Sequence, residues 1–146
     1  MKYSQEITID APIQKVIQLF DDPDQMDKWM KGLISFEHLS GTQGQPGAKS
    51  KLKFQMGKRE IEMIETITVR NLPHEFSGTY DAKGVHNIVK NYFEEISENQ
   101  TRYTTENEFQ MKGFMKIMAW LMPGAFKKQS LQYLKDFKAF VERTNS

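Results

Sequence analysis

The sequence contains no cysteine among its 146 residues. This excludes a disulfide framework, a thiolate metal site and a cysteine nucleophile. The sequence also lacks an excess of either charge, because twenty basic and nineteen acidic residues leave a formal net charge of +1. Such a balance gives no reason to expect nucleic acid as a partner.

Long apolar runs are missing too. No run reaches the roughly 18–20 residues that a membrane span requires, and Lys2, Gln5 and Glu6 interrupt the apolar pattern of a signal peptide. The sequence contains no internal repeat, no low-complexity tract and no linker. A chain of this length can bury one core, so we expect a single domain over residues 1–146. Because neither a membrane span nor a signal peptide is indicated, we expect that domain to be cytoplasmic.

Recognisable catalytic and metal-binding motifs are also absent. His38, His74 and His86 are far apart and lack ligand spacing, and there is neither a nucleophile elbow nor a phosphate-binding glycine loop. We therefore predict no metal site, no cofactor and no assigned catalytic residue. His74 should lie on the surface in a turn. His86 has a strand position that could face a cavity, but we favour a structural, hydrogen-bonded histidine.

The most informative part of the sequence is a long amphipathic C-terminal segment. Residues 113–143 predict a helix that is interrupted near Pro123, because proline lacks an amide donor and Gly124 adds backbone freedom. After the interruption, apolar residues recur every three or four positions, which places one stripe against a core. The stripe consists of Leu131, Leu134, Phe137, Phe140 and Val141.

The N-terminal part of the chain predicts a strand followed by two short helices. Residues 3–9 alternate between two faces, as in a half-buried strand. Asp10-Ala11-Pro12 and Asp22-Pro23 are both helix-start signals, in which the aspartate can cap free amides and proline suits the first turn. We expect the second helix to end near Met30, followed by Gly32 in a left-handed conformation.

From Leu33 onward the apolar period changes to two, which predicts β-strands. Turn residues mark short connections, so consecutive strands should pair as antiparallel hairpins. The expected strands are residues 33–41, 49–56, 59–70, 75–82, 85–96 and 102–111.

One face of these strands is rich in methionine and aromatic residues, with few polar groups. Glu65 falls in the middle of the face formed by Ile61, Met63, Ile67 and Val69. Inside a cavity, desolvation would raise the pKa of this carboxyl, as suits a hydrogen-bond donor or a general acid. We favour the alternative that a bulge or a sheet edge turns Glu65 to solvent.

Two groups of residues carry a resemblance to a known family. They are Ile9-Asp10-Ala11-Pro12, Val16, Phe20, Asp22-Pro23 and Trp29, and then residues 122–129, Leu134, Lys138 and Glu142. Their order and spacing resemble the START/Bet v 1-like helix-grip superfamily (SRPBCC), in particular its polyketide cyclase/dehydrase and lipid-transport group. The resemblance implies an α+β fold, in which a curved seven-stranded antiparallel sheet wraps around the long C-terminal helix and leaves a cavity.

Members of this superfamily bind lipids, sterols, quinones, polyketides or plant hormones, and a minority catalyse cyclisation or dehydration. We therefore expect a protein that binds a hydrophobic small molecule or lipid between the sheet and the C-terminal helix. The expected lining residues are Trp29, Phe54, Met56, Met63, Phe76, Tyr80, Phe109, Met118 and Met122, with Glu65 and Asn107 as polar anchors.

Two alternatives remain open at this point. One is a cyclase or dehydratase for a polyketide-like or aromatic substrate, in which Glu65, Tyr80 or His86 moves protons. The other is a module that delivers a lipid through transient contact between residues 114–126 and a membrane. That segment is more apolar than one packed face requires, and lysines lie beside it. The pattern is compatible with a monomer or a homodimer.

Overall fold

The protein, described here by a computed structural model of residues 1–145, is built on one antiparallel sheet. The strands are β1 (Lys2–Ile9), β2 (Leu33–Ser40), β3 (Lys49–Met56), β4 (Arg59–Asn71), β5 (Glu75–Ala82), β6 (Val85–Ser97) and β7 (Gln100–Met111). Their spatial order is β1-β7-β6-β5-β4-β3-β2. Strands β2 to β7 thus form a meander, and β1 pairs with the last strand of that meander.

The helices flank this sheet in the predicted order. They are α1 (Ile13–Phe20), a 3₁₀ helix (Pro23–Lys28), α2 (Phe114–Leu121) and α3 (Ala125–Asn145). The interruption near Pro123 is confirmed, because α2 ends at Leu121 and α3 begins at Ala125. Within residues 1–145, no helix combines the length and the hydropathy needed to cross a bilayer.

The two helix-start signals behave differently. The Asp22 side chain accepts a hydrogen bond of 3.0 Å from the amide of Asp24, as expected for a cap. Helix α1 instead follows Pro12 and has no side-chain cap. The prediction that Asp10 caps α1 is therefore wrong. The amide of Asp10 donates to Oε2 of Glu142 at 2.8 Å, which ties the start of α1 to α3.

The C-terminal half of α3 packs into the main core. Leu134, Phe137, Phe140 and Val141 are buried, as the spacing of the apolar stripe predicts. They meet a cluster of rings centred on Phe20. The rings in contact with Phe20 belong to Trp29, Phe76, Phe93, Tyr103 and Phe137. The sheet therefore grips α3 mainly through this half of the helix.

A bulge in β4 changes which residues face inward. The β4–β5 register shifts between Ile67 and Val69. Consequently Val69 is exposed, and the predicted placement of Val69 on the inner face is wrong. Arg70 takes the inward position instead.

A second, smaller apolar cluster lies between the inner face of β3 and the 3₁₀ helix. It contains Met26, Leu52 and Phe54. The space between the two clusters, under the N-terminal half of α3, is not filled by side chains.

Candidate functional site

A cavity of about 1020 Å³ lies between the inner face of the sheet and the N-terminal half of α3. Phe126, Gln129, Ser130 and Tyr133 line it from α3. The Tyr3 hydroxyl, 2.6 Å from Oγ of Ser130 and donating to the carbonyl of Phe126 at 3.1 Å, holds this half of the helix near β1. The cavity exists because only the other half of α3 carries the stripe that fills the core.

One side of the cavity is apolar. Its residues lie on β2, on alternate positions of β3 and β4, and in or just after the 3₁₀ helix. The alternate strand positions place their side chains on the inner face. They include Met26, Met30, Phe36, Leu52, Phe54, Met56, Ile61, Met63 and Ile67. Methionine is flexible and polarizable, so this wall can adapt to guests of different shape.

Glu65 and Tyr80 form a polar pair in the middle of the sheet. The Tyr80 hydroxyl donates a hydrogen bond of 2.7 Å to Oε2 of Glu65. Burial raises the pKa of the Glu65 carboxyl, and the hydrogen bond from Tyr80 opposes that rise. Burial and the neighbouring carboxylate raise the pKa of Tyr80 well above its ordinary value. The pair therefore places a proton-carrying phenol beside a carboxyl group inside the cavity.

A second polar patch lies on β6 and β7. Asn87, Asn91, Thr105 and Asn107 all face the cavity. Nδ2 of Asn87 donates to Oδ1 of Asn107 at 3.4 Å, and the Tyr103 hydroxyl donates to Oδ1 of Asn91 at 2.7 Å. Sequence reasoning did not select Asn87, Asn91 or Thr105 as site residues. The period-two alternation of Asn87, Val89 and Asn91 could have revealed the first two.

Two buried polar atoms on the wall lack a protein partner within residues 1–145. They are Oδ1 of Asn87 and Nε1 of Trp29. A buried polar atom is costly unless a hydrogen bond satisfies it. Oδ1 of Asn87 accepts a hydrogen bond and Nε1 of Trp29 donates one, so together they can bind a guest that carries both a donor and an acceptor.

The two ends of the cavity are constructed differently. At one end, Nη1 and Nη2 of Arg70 donate to the Asp21 carboxylate at 2.8 and 2.6 Å, and Nη1 also reaches the carbonyl of Gly44 at 3.2 Å. This bidentate ion pair joins α1 to β4 across the cavity edge. At the other end, the exposed residues Arg59 and Lys83 line the cavity beside Met115 of α2, so the cavity reaches the surface there.

The structure brings together nine of the eleven residues predicted for the site. Those on the cavity wall are Trp29, Phe54, Met56, Met63, Glu65, Phe76, Tyr80, Asn107 and Phe109. Met118 and Met122 lie outside the wall, because α2 directs Met115 toward the cavity and the interruption leaves Met122 exposed. That any of these residues contacts a ligand stays a prediction.

One placement differs from the interpretation favoured on pattern alone. Glu65 is buried and faces the cavity, so the preference for solvent exposure is wrong. The reason is that the β4 bulge lies beyond Ile67 and leaves the alternation intact through Glu65. His86 does not line the cavity. Its Nδ1 lies 2.5 Å from Oδ1 of Asp81 on the outer face, which agrees with a structural histidine. His74 is exposed in a turn, as predicted.

Within the described part of the chain, no three or more His, Asp or Glu side chains converge in a way that could hold a metal ion.

A sheet that curves around a long helix and leaves a cavity between them defines a helix-grip protein of the Bet v 1-like type. The family model for polyketide cyclase / dehydrase and lipid transport matches residues 1–136, and the chain belongs to that family. A search of curated proteins by sequence gives no significant match.

Similar solved structures support the fold assignment. A conserved protein from Geobacillus kaustophilus superposes with a TM-score of 0.83 at 17% identity, covering 100% of this chain and 98% of that chain. The Zhui aromatase/cyclase from Streptomyces sp. R1128 gives 0.82 at 12% identity, with coverage of 98% and 94%. Norcoclaurine synthase from Thalictrum flavum, in complex with dopamine and hydroxybenzaldehyde, gives 0.73 at 14% identity, with coverage of 100% and 88%. At these identities the likeness establishes the fold alone.

Proposed function

We propose that the protein binds a largely apolar small molecule or lipid inside the cavity and acts as its carrier or sequestering protein. The observation that carries this proposal is the cavity of about 1020 Å³ between two packed clusters. Protein interiors are normally packed with few voids larger than a water molecule. Small-molecule sites typically occupy about 300–1,000 Å³ with mostly apolar walls and a few polar groups.

The polar groups on the wall indicate what kind of guest fits. An apolar body would lie against the methionine and phenylalanine side chains of β3 and β4. A hydroxyl group on the guest would satisfy Oδ1 of Asn87, and a carbonyl or ether oxygen would satisfy Nε1 of Trp29. The proposed ligand is therefore an amphipathic molecule with at least one donor and one acceptor.

Native mass spectrometry of freshly purified protein tests the proposal directly, because it shows whether a ligand is retained and gives its mass. A fluorescence titration with 1-anilinonaphthalene-8-sulfonate measures occupancy of the cavity by an apolar probe. Met63→Trp adds volume inside the cavity and should weaken dye binding by about tenfold or more. Ile64→Trp is the matched control, since Ile64 is the next residue of the strand and does not line the cavity. Equal binding by the two variants, or no binding by the parent, would contradict the proposal.

The polar anchors can be tested with a pair of probes that differ by one hydroxyl group, 2-naphthol and naphthalene. The parent should prefer 2-naphthol by about two- to tenfold, the range of a single hydrogen bond. Asn87→Leu should remove that preference. Asn99→Leu makes the same change in an exposed turn and should keep it. An unchanged preference in Asn87→Leu would exclude this anchor.

A second candidate function is a cyclase or dehydratase that acts on a polyketide-like or aromatic substrate in the same cavity. The observation that favours it is the buried Glu65 carboxyl, whose raised pKa and contact with Tyr80 suit proton transfer. If a substrate is found, Glu65→Gln should lower turnover by about 10²-fold while binding persists. Turnover that depends on Glu65 would show that the protein is an enzyme, and the carrier proposal would then be wrong.

A further inference from the structure

The outward side of α2 carries a ridge of exposed large apolar side chains. We define the α2 ridge as Phe114, Ile117, Trp120, Leu121 and Met122, each of which is more than half exposed. Trp120 is the most exposed of them, at 82%. The first four follow one another at steps of three, three and one residues, which at about 100° per residue keeps them within one side of the helix. Met115, Met118 and Ala119 occupy the opposite, partly buried side.

Such a ridge is unusual for a surface that faces only water. Scattered apolar residues are normal on protein surfaces, but contiguous patches of this kind mark interaction sites. The other exposed large apolar residues are dispersed over the N-terminus, β2, β4 and β6, and they are Met1, Ile34, Leu39, Val69 and Ile96. The α2 ridge therefore calls for a partner that covers several neighbouring side chains at once.

The charges around the ridge indicate the chemistry of that partner. From Phe109 to Lys135 the sequence contains no aspartate or glutamate, although it contains Lys112, Lys116, Lys127, Lys128 and Lys135. The first four lysines are exposed. In the described part of the chain, none of these four forms an ion pair. Lys127 contacts only the ring of Tyr3, at 5.8 Å from its centroid, among the charged and aromatic contacts described. In a protein of net charge +1, this segment is a local concentration of positive charge without paired acids.

We propose that the α2 ridge docks on the surface of an anionic lipid bilayer. Apolar and aromatic side chains would enter the boundary between headgroups and acyl chains, where tryptophan is favoured because one end of its ring system is polar. The flanking lysines would meet negatively charged headgroups, and their long side chains can reach the interface while the helix lies flat.

The same charges argue against a second copy of the chain as the occupant. A twofold interface brings the same patch of both subunits together. It would bring two copies of the lysine-rich segment together, with no acidic residue between Phe109 and Lys135 to compensate, and such like-charge contacts are unfavourable. An anionic surface neutralises the charge instead.

Helix α2 lies at the open end of the cavity, so docking through the α2 ridge would bring that opening to the membrane. Met115 on its inner side and Phe126 at the start of α3 both line the cavity. The amide of Lys112, two residues before α2, donates to the carbonyl of Gly84 at 2.9 Å, so the start of α2 lies beside the β5–β6 turn at the open end of the cavity. A bilayer that holds the ridge would therefore face that opening. Docking itself does not depend on the proposed ligand binding, whereas transfer of a guest through this opening does.

Vesicle flotation tests the proposal with the full chain. The protein should bind vesicles of phosphatidylcholine mixed with phosphatidylglycerol, and salt should weaken that binding. Ile117→Ser with Trp120→Ser should lower the partition coefficient by at least about tenfold, because two exposed apolar side chains are lost. Ile34→Ser with Leu39→Ser is the matched control and should leave partition unchanged. The mutated side chains are exposed, so both variants should keep the thermal stability of the parent.

The contribution of the lysines to vesicle binding is tested with a second pair of variants. Lys127→Glu with Lys128→Glu should abolish the preference for anionic vesicles, whereas Lys49→Glu with Lys53→Glu on β3 should retain it. Equal binding to neutral and anionic vesicles, an equal loss in the control variants, or no binding would overturn the proposal. A dimer in analytical ultracentrifugation that Ile117→Ser with Trp120→Ser dissociates, without vesicle binding by the parent, would assign the ridge to self-association instead. The dye titration without vesicles tests ligand binding in the cavity, so a failure of membrane docking can be distinguished from a failure of the proposed function.

Discussion

Glu65 and Tyr80 are direct partners in the β4–β5 ladder, and the Tyr80 hydroxyl donates to Glu65 Oε2 at 2.7 Å. The sheet register therefore creates this pair. A slip of one residue in this register would send one of the two side chains to the outer face and separate the pair. Burial raises the pKa of both groups, but the hydrogen bond lowers that of Glu65, whereas the carboxylate raises that of Tyr80 further. Both partners of this contact therefore hold their protons more tightly than in water.

The raised pKa of Glu65 predicts how its substitution changes stability with pH. The folded state holds the proton more tightly than the unfolded state does. The contribution of this group to the free energy of unfolding is therefore fully present below its ordinary pKa and is lost as pH rises through the raised value. Glu65→Gln lacks this dependence, so its stability relative to the parent should increase across that window. Urea denaturation at several pH values measures the difference. A constant difference would mean that the carboxyl is not desolvated.

Removing the Tyr80 hydroxyl should move the pKa of Glu65 further upward. In Tyr80→Phe the carboxylate loses the hydrogen bond that lowers its pKa, while burial remains. A titration of the ¹³C-labelled side-chain carboxyl by NMR would record the shift. Tyr92→Phe removes a hydroxyl from β6 that does not line the cavity and serves as the control. A downward shift in Tyr80→Phe would show that the hydrogen bond is not formed in solution.

Gly78 lies where β4 and β5 approach too closely for a side chain. A Cβ atom at this position would lie 2.8 Å from the backbone oxygen of Thr66. We expect Gly78→Ala to lower the free energy of unfolding by about 1–3 kcal/mol, as for overpacked sites. Gly124→Ala is the control, because a Cβ there meets nothing within 4 Å. It should change stability by less than about 0.5 kcal/mol. Chemical denaturation of both variants measures the contrast, and similar values would show that the strands separate readily.

Phe137 is fully buried in the ring cluster and contacts Phe20, Trp29 and Tyr103. Phe137→Ala should destabilise the protein by about 3–5 kcal/mol, because it removes these contacts and leaves a cavity. Lys135→Ala on the exposed side of the same helix should cost less than about 0.5 kcal/mol. A loss below about 1 kcal/mol for Phe137→Ala, measured in urea, would mean that the opposite face of α3 is buried.

The ion pair between Arg70 and Asp21 should couple α1 to β4. A double-mutant cycle with Arg70→Ala and Asp21→Ala should give a coupling energy of about 1 kcal/mol, because the pair is bidentate but partly hydrated. Asp22→Ala in place of Asp21→Ala provides the control cycle and should show little coupling. Equal coupling in the two cycles would contradict a specific contact.

The sequence alone determined the order and the extent of most elements. Alternation of period two, bounded by turn residues such as Gly57 and Pro73, is a local property of the chain, and the predicted strands agree with the observed ones to within about two residues. The interruption at Pro123 and the buried stripe on α3 are also local, because they depend on a missing amide and on helical spacing. These features needed no knowledge of the neighbouring elements.

The tertiary structure decided which of these faces is covered and by what. Pattern alone could not show that Glu65 stays inside, that the bulge replaces Val69 with Arg70, or that Met115 rather than Met118 faces the cavity. Each of these outcomes depends on register, on a single extra residue in one strand, or on the direction in which α2 leaves β7. Short-range periodicity does not encode them, because they follow from contacts between residues that are distant in the sequence. The cavity itself arises in the same way, since it is the volume that no side chain of the sheet or of α3 reaches.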